Sequence, residues 1–361
     1  MSAERYEPTQ LEVACGMVFG FTPPESLPEP ASDPLEALED AILPALLRAP
    51  CLVGFSGGRD SATVLAAAVR LARREGLELP IPATNRFSGA EIGDEREWQE
   101  RVIVHLGLTE WLRFDFADQL DAVGPIATRA LRRHGLLWPF NAHFHLPLID
   151  EAAGGAVLTG LGGDESFGAP RWARAASIVS GRLSWLLPDA QEEMRALWTV
   201  DVASEPLRWQ HRAASCRRRR YVRAGLWSLD LLASAQRVAV HSPFVDARFA
   251  ATLAALPSER RFLARSEAMH ELFGDLLPAE VLTRRTTQRV ASAFWSTHSR
   301  RLAEEWDGDG VDAALVDHDG LREEWSKPQP DPRTFLLLQT AALAREQADP
   351  GELAQTAGAL L

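Results

Sequence analysis

The sequence predicts an α/β fold: a parallel, doubly wound sheet followed by a mainly helical C-terminal part. Three observations lead to it. Residues 51–55 (C-L-V-G-F) form a short apolar run that passes through Ser56, Gly57 and Gly58 into an alanine- and leucine-rich helix over 62–74, the strand–turn–helix unit of a buried parallel strand. Between 51 and 168, further strand-like runs alternate with helical ones, which calls for crossover connections and a parallel sheet. From Arg171 onward strand signals largely vanish.

Taken in order, residues 1–33 are rich in Pro, Glu and Ser, the composition of an N-terminal arm and linker with one short ordered piece over 11–21. Residues 34–361 read as one domain, with the sheet core over 50–170 and the helical part over 171–361. Asp33 is placed to cap a helix whose first residue is Pro34, and helical periodicity runs over 35–48. Residues 79–85 (L-P-I-P-A-T-N) read as a second strand, which its two prolines make short or put at a sheet edge. An acidic stretch from 88 leads into a helix ending near Leu106. The alternating W-L-R-F-D-F at 111–116 gives a third strand, 118–133 a helix, and 156–161 another buried strand that ends in a second glycine-rich turn at 160–168. Helices are expected over 171–182, 189–198, 206–232, 248–256, 265–273 and 335–348. No internal repeat is visible.

The composition, 46% apolar and 24% charged, is that of an ordinary globular protein. A formal net charge of −12 argues against a general nucleic-acid binder, which needs a basic face. The run of four arginines at 217–220 stands against that trend and reads as a solvated helix face rather than a polyanion contact. Cys15, Cys51 and Cys216 show neither disulfide nor zinc spacing and suit a reducing cytoplasm. The first residues have neither a basic nor an apolar leader region, so no leader is expected, and with no apolar run of membrane-spanning length no membrane partner is expected. The acidic segment 308–319 lacks the ligand spacing of a calcium loop and reads as surface. His143 and His145 would share a face on a strand, but no third ligand accompanies them. They read as a substrate-side loop or as packing.

Function concentrates in the glycine turns. Strand, turn and helix start at 51–61 aim backbone N–H groups and a positive dipole end at one spot suited to a phosphate. Gly57 and Gly58 allow a ligand to approach the backbone closely. The order S-G-G-R-D-S at 56–61 lacks the Gly-Lys-Ser/Thr ending of a Walker A loop. Asp60 and Asp164 each follow a strand end, where open parallel sheets bind ligands. Taken one at a time, these features have plain structural readings as a tight turn, a helix cap and a loop. Their joint placement is what favours a nucleotide site.

Three segments then carry a resemblance. S-G-G-R-D-S at 56–61, L-T-G-L-G-G-D-E-S-F-G at 158–168 and H-S-P-F-V-D-A-R-F at 241–249 resemble, in order, the pyrophosphate loop, the L-S-G-E-G-A-D-E-L-F-G segment and the R-x-P-F-L-D-x-R-F segment of the synthetase domain of asparagine synthetases. These belong to the N-type ATP pyrophosphatases, with an adenine nucleotide alpha hydrolase-like fold. Their relatives include β-lactam synthetases and lasso peptide macrolactam cyclases. The resemblance covers roughly residues 35–300. It implies that Ser56, Gly57, Gly58 and Ser61 cradle the phosphates of ATP, and that Asp60 and Asp164 hold Mg2+. By the same resemblance, Thr159 and Gly160 lie near the ribose and α-phosphate, and 83–85 near the adenine. The implied reaction adenylates a substrate carboxylate, releases pyrophosphate, and passes the acyl group to an amine. Pro243, Phe244 and Asp246 read as residues that shape the site.

The sequence also departs from the family. Ser2 and Ala3 follow Met1 where glutamine-using members carry a cysteine, so no glutaminase domain is expected. The lysine that relatives use at acyl transfer is missing from the run at 282–295, and Lys327 is the only lysine in the chain. Arg285, Arg284 and then Arg289 are the candidates to carry that charge as catalytic residues, with the electrostatics kept and proton exchange lost. Arg59 replaces an apolar residue common in the family's loop. The expectation is a cytoplasmic, ATP-dependent, AMP-forming carbon–nitrogen ligase for a small-molecule or peptide carboxylate in natural-product or peptide tailoring. Its amine comes from the substrate, a partner enzyme or a separate source. A non-catalytic binding module and an ammonia-dependent asparagine synthetase stand as alternatives.

Overall fold

The computed structural model describes residues 6–87, 93–167, 182–257, 265–283 and 291–348. Its centre is a five-stranded, all-parallel sheet made of β1 (Cys51–Gly54), β2 (Ile81–Phe87), β3 (Leu112–Phe116), β4 (Ala156–Leu158) and β5 (Ala239–His241), in the order β3-β2-β1-β4-β5. The expected doubly wound α/β fold is the fold observed. Side chains alternate between the two faces. Cys51 and Val53 of β1 and Ala156 and Leu158 of β4 enter one core with the helices Pro34–Leu46 and Arg59–Glu75, while Leu52 and Val157 enter a second with Ile149, Leu232 and Ala233. The chain winds outward from β1 through β2 to β3, then crosses back to add β4 and β5 on the other side. The order therefore reverses between β1 and β4, and the crevice at such a reversal is where open α/β sheets take ligands.

Several expectations shift. β2 is interior rather than an edge strand, although Pro82 sits in it, paired with Val53. Ala83 O accepts from Phe55 N of the segment after β1, so Pro82, one residue earlier, faces the other side. There β3 begins to pair only at Ala83, and the missing proline N–H falls where no partner stands. β5 lies in the mainly helical part, between the helices expected over 206–232 and 248–256, where no strand was expected. Three half-buried residues leave no periodic signal in the sequence. The helix expected over 118–133 is confined to Pro125–His134. Its forepart instead bends around Asp121, whose buried carboxylate accepts from Ser296 N and Ser296 Oγ (both 2.7 Å), Ser299 Oγ (2.5 Å) and Val123 N (3.0 Å). The stretch 206–232 breaks into Trp209–His211, Arg212–Arg218 and Arg220–Ser234. The helix expected over 171–182 lies, but for Arg182, outside the described residues.

The helical part has its own core, built on Trp185, Trp295, Trp306, Trp325 and Phe335, to which Ala14, Cys15 and Phe19 of the N-terminal segment contribute. That segment is anchored by the arginine run, which is not a solvated face. Arg219 is only 4% exposed and bonds Asp201 (3.3 Å) and Glu205 (3.4 Å), while Arg220 pairs with Glu12 (2.5 Å). Burying a carboxylate as deeply as Asp201 requires a partner cation, and the run supplies it. Lys327 pairs with Glu324 (2.5 Å) in the helical part. The three cysteines are buried and unpaired. Burial pushes the Cys15 and Cys51 thiols up to about 12, which leaves them inert at neutral pH. No helix among the described residues is long and apolar enough to cross a membrane.

His143 and His145 lie in a 3₁₀ turn, Ala142–His145, not on a strand, and among the described residues no cluster of three or more His, Cys, Asp or Glu forms a metal site. His143 Nε2 bonds Leu120 O (3.1 Å), and burial lowers its pKa to about 4. The folded protein thus keeps this ring neutral down to about pH 4, whereas the unfolded chain protonates it near 6.5. Stability is therefore expected to fall as pH drops through that window, by up to about 1.4 kcal/mol per pH unit. Urea unfolding between pH 7 and pH 4 should show a shallower fall in H143Q than in the wild type. Equal slopes would contradict a neutral buried ring.

Candidate active site

The turn after β1 is held in shape before any ligand arrives. Gly57 has φ +84°, a left-handed conformation that a side chain would strain, and a Cβ there would stand 2.8 Å from Gln99 Cγ. Gln99, almost fully buried, donates from Nε2 to Ser56 O (3.0 Å) and braces the turn from outside. Within the turn Ser56 and Ser61 hydroxyls lie 3.1 Å apart, Gly58 N donates to Ser56 Oγ (3.2 Å), and Ser61 Oγ donates to Gly58 O (3.0 Å). Gly58 is the N-cap of the 17-residue helix Arg59–Glu75, and no side chain caps it. The first helical N–H groups are thus left to an incoming anion.

The turn after β4 is pressed onto the first. A Cβ on Gly160 would lie 3.0 Å from Ser61 N and 3.2 Å from Asp60 Cβ, and one on Gly163 would overlap the Asp60 carboxylate. Gly162, at φ +93°, leaves no room for a side chain beside Val245. Thr159 Oγ1 hydrogen-bonds Ser242 Oγ (2.7 Å) and accepts from Leu161 N (3.3 Å), linking the turn to the segment after β5. That third segment packs rather than reacts. Phe244 is fully buried among Phe167, Phe249 and Phe273, and Asp246 caps the helix Ala247–Ala255 by accepting from Arg248 N (2.7 Å) and Phe249 N (3.1 Å).

Ser56, Gly57, Gly58, Asp60, Ser61, Thr159, Gly160 and Asp164 are therefore brought to one place, the crevice between β1 and β4. Asp60 and Asp164 share one cation, the guanidinium of Arg265, whose Nη2 pairs with Asp60 Oδ2 and whose Nη1 pairs with Asp164 Oδ1. Burial pushes the Asp60 carboxyl above its usual range, and Arg265 pulls against that shift. Asp60 Oδ1 is buried with no hydrogen-bond partner among the described residues. Arg59 lies in the same field; burial and the nearby Arg265 lower its pKa, while Asp60 and Asp164 oppose them. Arg284, Arg285 and Arg289 lie outside the described residues.

Two participants escape sequence reasoning. Arg265 opens the helix Arg265–Phe273 with no motif around it, and only tertiary structure brings it to the carboxylates. Gln99 sits in the middle of the helix Gly93–His105, in a run of charged and polar residues, and looks like any surface polar residue.

The donor set fits a divalent cation that arrives with a polyphosphate. Two carboxylates bridged by a single positive group, one with a spare buried oxygen, match the one or two carboxylates by which Mg2+ is usually held alongside phosphate oxygens and waters. A parallel sheet with a glycine cradle, an uncapped helix start and paired carboxylates at its reversal point defines a class of α/β nucleotide-site proteins. A family model described as asparagine synthase matches residues 35–346, and the chain belongs to that family. Membership implies an ATP-dependent ligase of the amidating kind, in a family that generally uses Mg2+ with its ATP. No curated protein matches the chain.

Because Gly163 leaves no space beside Asp60, Gly163→Ala should displace the carboxylate and weaken Mg–ATP binding at least tenfold with little change in melting temperature. Calorimetric titration of the two proteins checks this; equal affinities would mean that Asp60 does not need its present place.

Proposed function

We propose that the protein adenylates a substrate carboxylate with ATP, releases pyrophosphate, and transfers the acyl group to an amine. The observation that supports this best is the meeting of the two turns at Asp60 and Asp164, carboxylates that one cation bridges beside an uncapped helix start. In this reading the backbone N–H groups of the first turn and the hydroxyls of Ser56 and Ser61 exchange their mutual hydrogen bonds for phosphate oxygens. Thr159 and Gly160 border the ribose and α-phosphate. The middle of β2, at Ala83, Thr84 and Asn85, borders the adenine, where Asn85 Nδ2 donates to Phe144 O (2.8 Å) and its buried Oδ1 has no partner among the described residues.

Asp60 and Asp164 would hold Mg2+, which supplies charge neutralisation at the phosphates. The chain's own contribution is position. The cradle fixes the pyrophosphate, so that an entering carboxylate oxygen can meet the α-phosphorus in line with the departing group. An acyl-adenylate and pyrophosphate result, and a neutral amine then attacks the acyl carbon, expels AMP and gives up its proton to the departing phosphate or to solvent. Arg285, Arg284 or Arg289 would meet the charge that builds on the acyl oxygen; being arginines, they neutralise it without exchanging a proton.

Leu161 stands where the resembling segment has Glu, so this turn presents an apolar side chain in place of an acid. That supports a carboxylate in natural-product or peptide tailoring over aspartate, with the amine drawn from the substrate itself, a partner enzyme or a separate source. Three buried, unpaired thiols suit the cytoplasm. One observation favours a second reading. Arg265 neutralises both carboxylates, as it would in a non-catalytic module that had exchanged its metal for an arginine.

Exchange of labelled pyrophosphate into ATP, across a panel of carboxylates with Mg2+, separates the two readings. Adenylation predicts carboxylate-dependent exchange that Asp60→Ala lowers by at least about 100-fold. Exchange with no member of the panel would favour the module.

A further inference from the structure

Arg265 occupies the position between two carboxylates that a divalent cation would need. It is a side chain of this protein, so it acts at a fixed, high effective concentration and cannot diffuse away. Its guanidinium offers one N–H group to each carboxylate, and its side chain is 17% exposed against 18% for Asp60, whereas Asp164 is 75% exposed. The pair is therefore anchored on the buried side, at Asp60, and open on the side of Asp164. Asp60 cannot turn away from it. The overlap that any Cβ on Gly163 would make shows how tightly the second turn confines this carboxylate. A metal ion and a guanidinium cannot both contact Asp60 and Asp164 without bringing two positive groups together, with Arg59 adding a third nearby.

We infer that Arg265 is a tethered counter-ion that keeps the divalent cation out of the Asp60–Asp164 pair until a nucleotide enters, when the phosphates draw the guanidinium off the carboxylates. The inference rests on the nucleotide reading above and adds an order to it: metal does not load alone, and metal and polyphosphate load together. The exchange conserves contacts rather than charge: the carboxylate pair trades a single positive charge for a divalent one, and the guanidinium moves onto the incoming phosphates. Each carboxylate gives up one half of a guanidinium contact and gains a contact to the metal, while the freed guanidinium gains phosphate oxygens that match its fork. Coupling is reciprocal, so whatever the phosphates contribute to metal binding the metal returns to nucleotide binding. Such a device would keep an adenylating site free of metal, and so unable to act on stray phosphates, while it is empty.

The probe is Mn2+ without nucleotide, followed by the paramagnetic signal of the free ion, with melting temperature in Mg2+ as a second readout. Wild-type protein should bind Mn2+ alone weakly, and its melting temperature should not respond to Mg2+. Arg265→Ala and Arg265→Gln should bind Mn2+ alone at least tenfold more tightly and should be stabilised by Mg2+, since two uncompensated carboxylates then face each other. Adding Asp60→Asn to Arg265→Gln should cancel the gain, which ties it to this site. Calorimetry of wild-type protein with Mg–ATP separates the two claims. Binding of Mg–ATP by the wild type, together with equal Mn2+ affinity in wild type and both Arg265 variants, overturns the counter-ion and leaves the nucleotide site standing. Failure of the wild type to bind Mg–ATP overturns the nucleotide reading and this inference with it.

Discussion

The turn after β4 lies so close to the turn after β1 that it has no room for side chains at Gly160 and Gly163. Gly160 and Gly163 have Asp60 and Ser61 where their own side chains would stand, and Gly162 has Val245. This contact is possible only because β1 and β4 are direct neighbours at the point where strand order reverses. It brings to one crevice an uncapped helix start from one turn and carboxylates from both. The surrounding structure serves it. Gln99 braces the first turn, Ser242 ties Thr159 on the second, and the buried phenylalanine cluster around Phe244 fixes the segment beneath.

The same contact creates an electrostatic problem. Two carboxylates brought together beside low-dielectric walls repel, and burial makes the charged form of Asp60 costly. A cation beside them relieves both costs. In the structure that cation is Arg265, and in the proposed working state it is a metal with a polyphosphate. Negative charge elsewhere is handled the same way. Glu12, Asp201 and Glu205 lie over the arginine run at 217–220, which joins the N-terminal segment to the helical part. Arginine does both jobs in a chain with a single lysine. It can offer two parallel donors to two acceptors, which an ammonium cannot do in a fixed plane.

Much of the sheet was legible because its strands are short apolar runs bounded by glycine turns. The site was legible because phosphate cradles need glycines at fixed offsets. What was not legible depended on partners distant in sequence. Pro82 looks like an edge residue until the register shows that β3 starts one residue too late to need its N–H. Asp121 looks helical until Ser296 and Ser299 claim its oxygens. Arginines 219 and 220 look solvated until their acids appear, and Arg265 looks like an ordinary helix residue until the fold sets it over Asp60 and Asp164. In each case a local pattern was overridden by a tertiary charge or hydrogen bond, and those leave no periodic mark in a chain.

Whether the crevice between β1 and β4 is a nucleotide site is the question on which the account depends. Its most direct test is a structure of the protein soaked or co-crystallised with Mg2+ and a non-hydrolysable ATP analogue. The phosphates are expected on the N–H groups that follow Gly57, the metal between Asp60 and Asp164, and Arg265 turned away from both. An analogue bound elsewhere, or absent while Arg265 still spans the two carboxylates, would contradict that expectation.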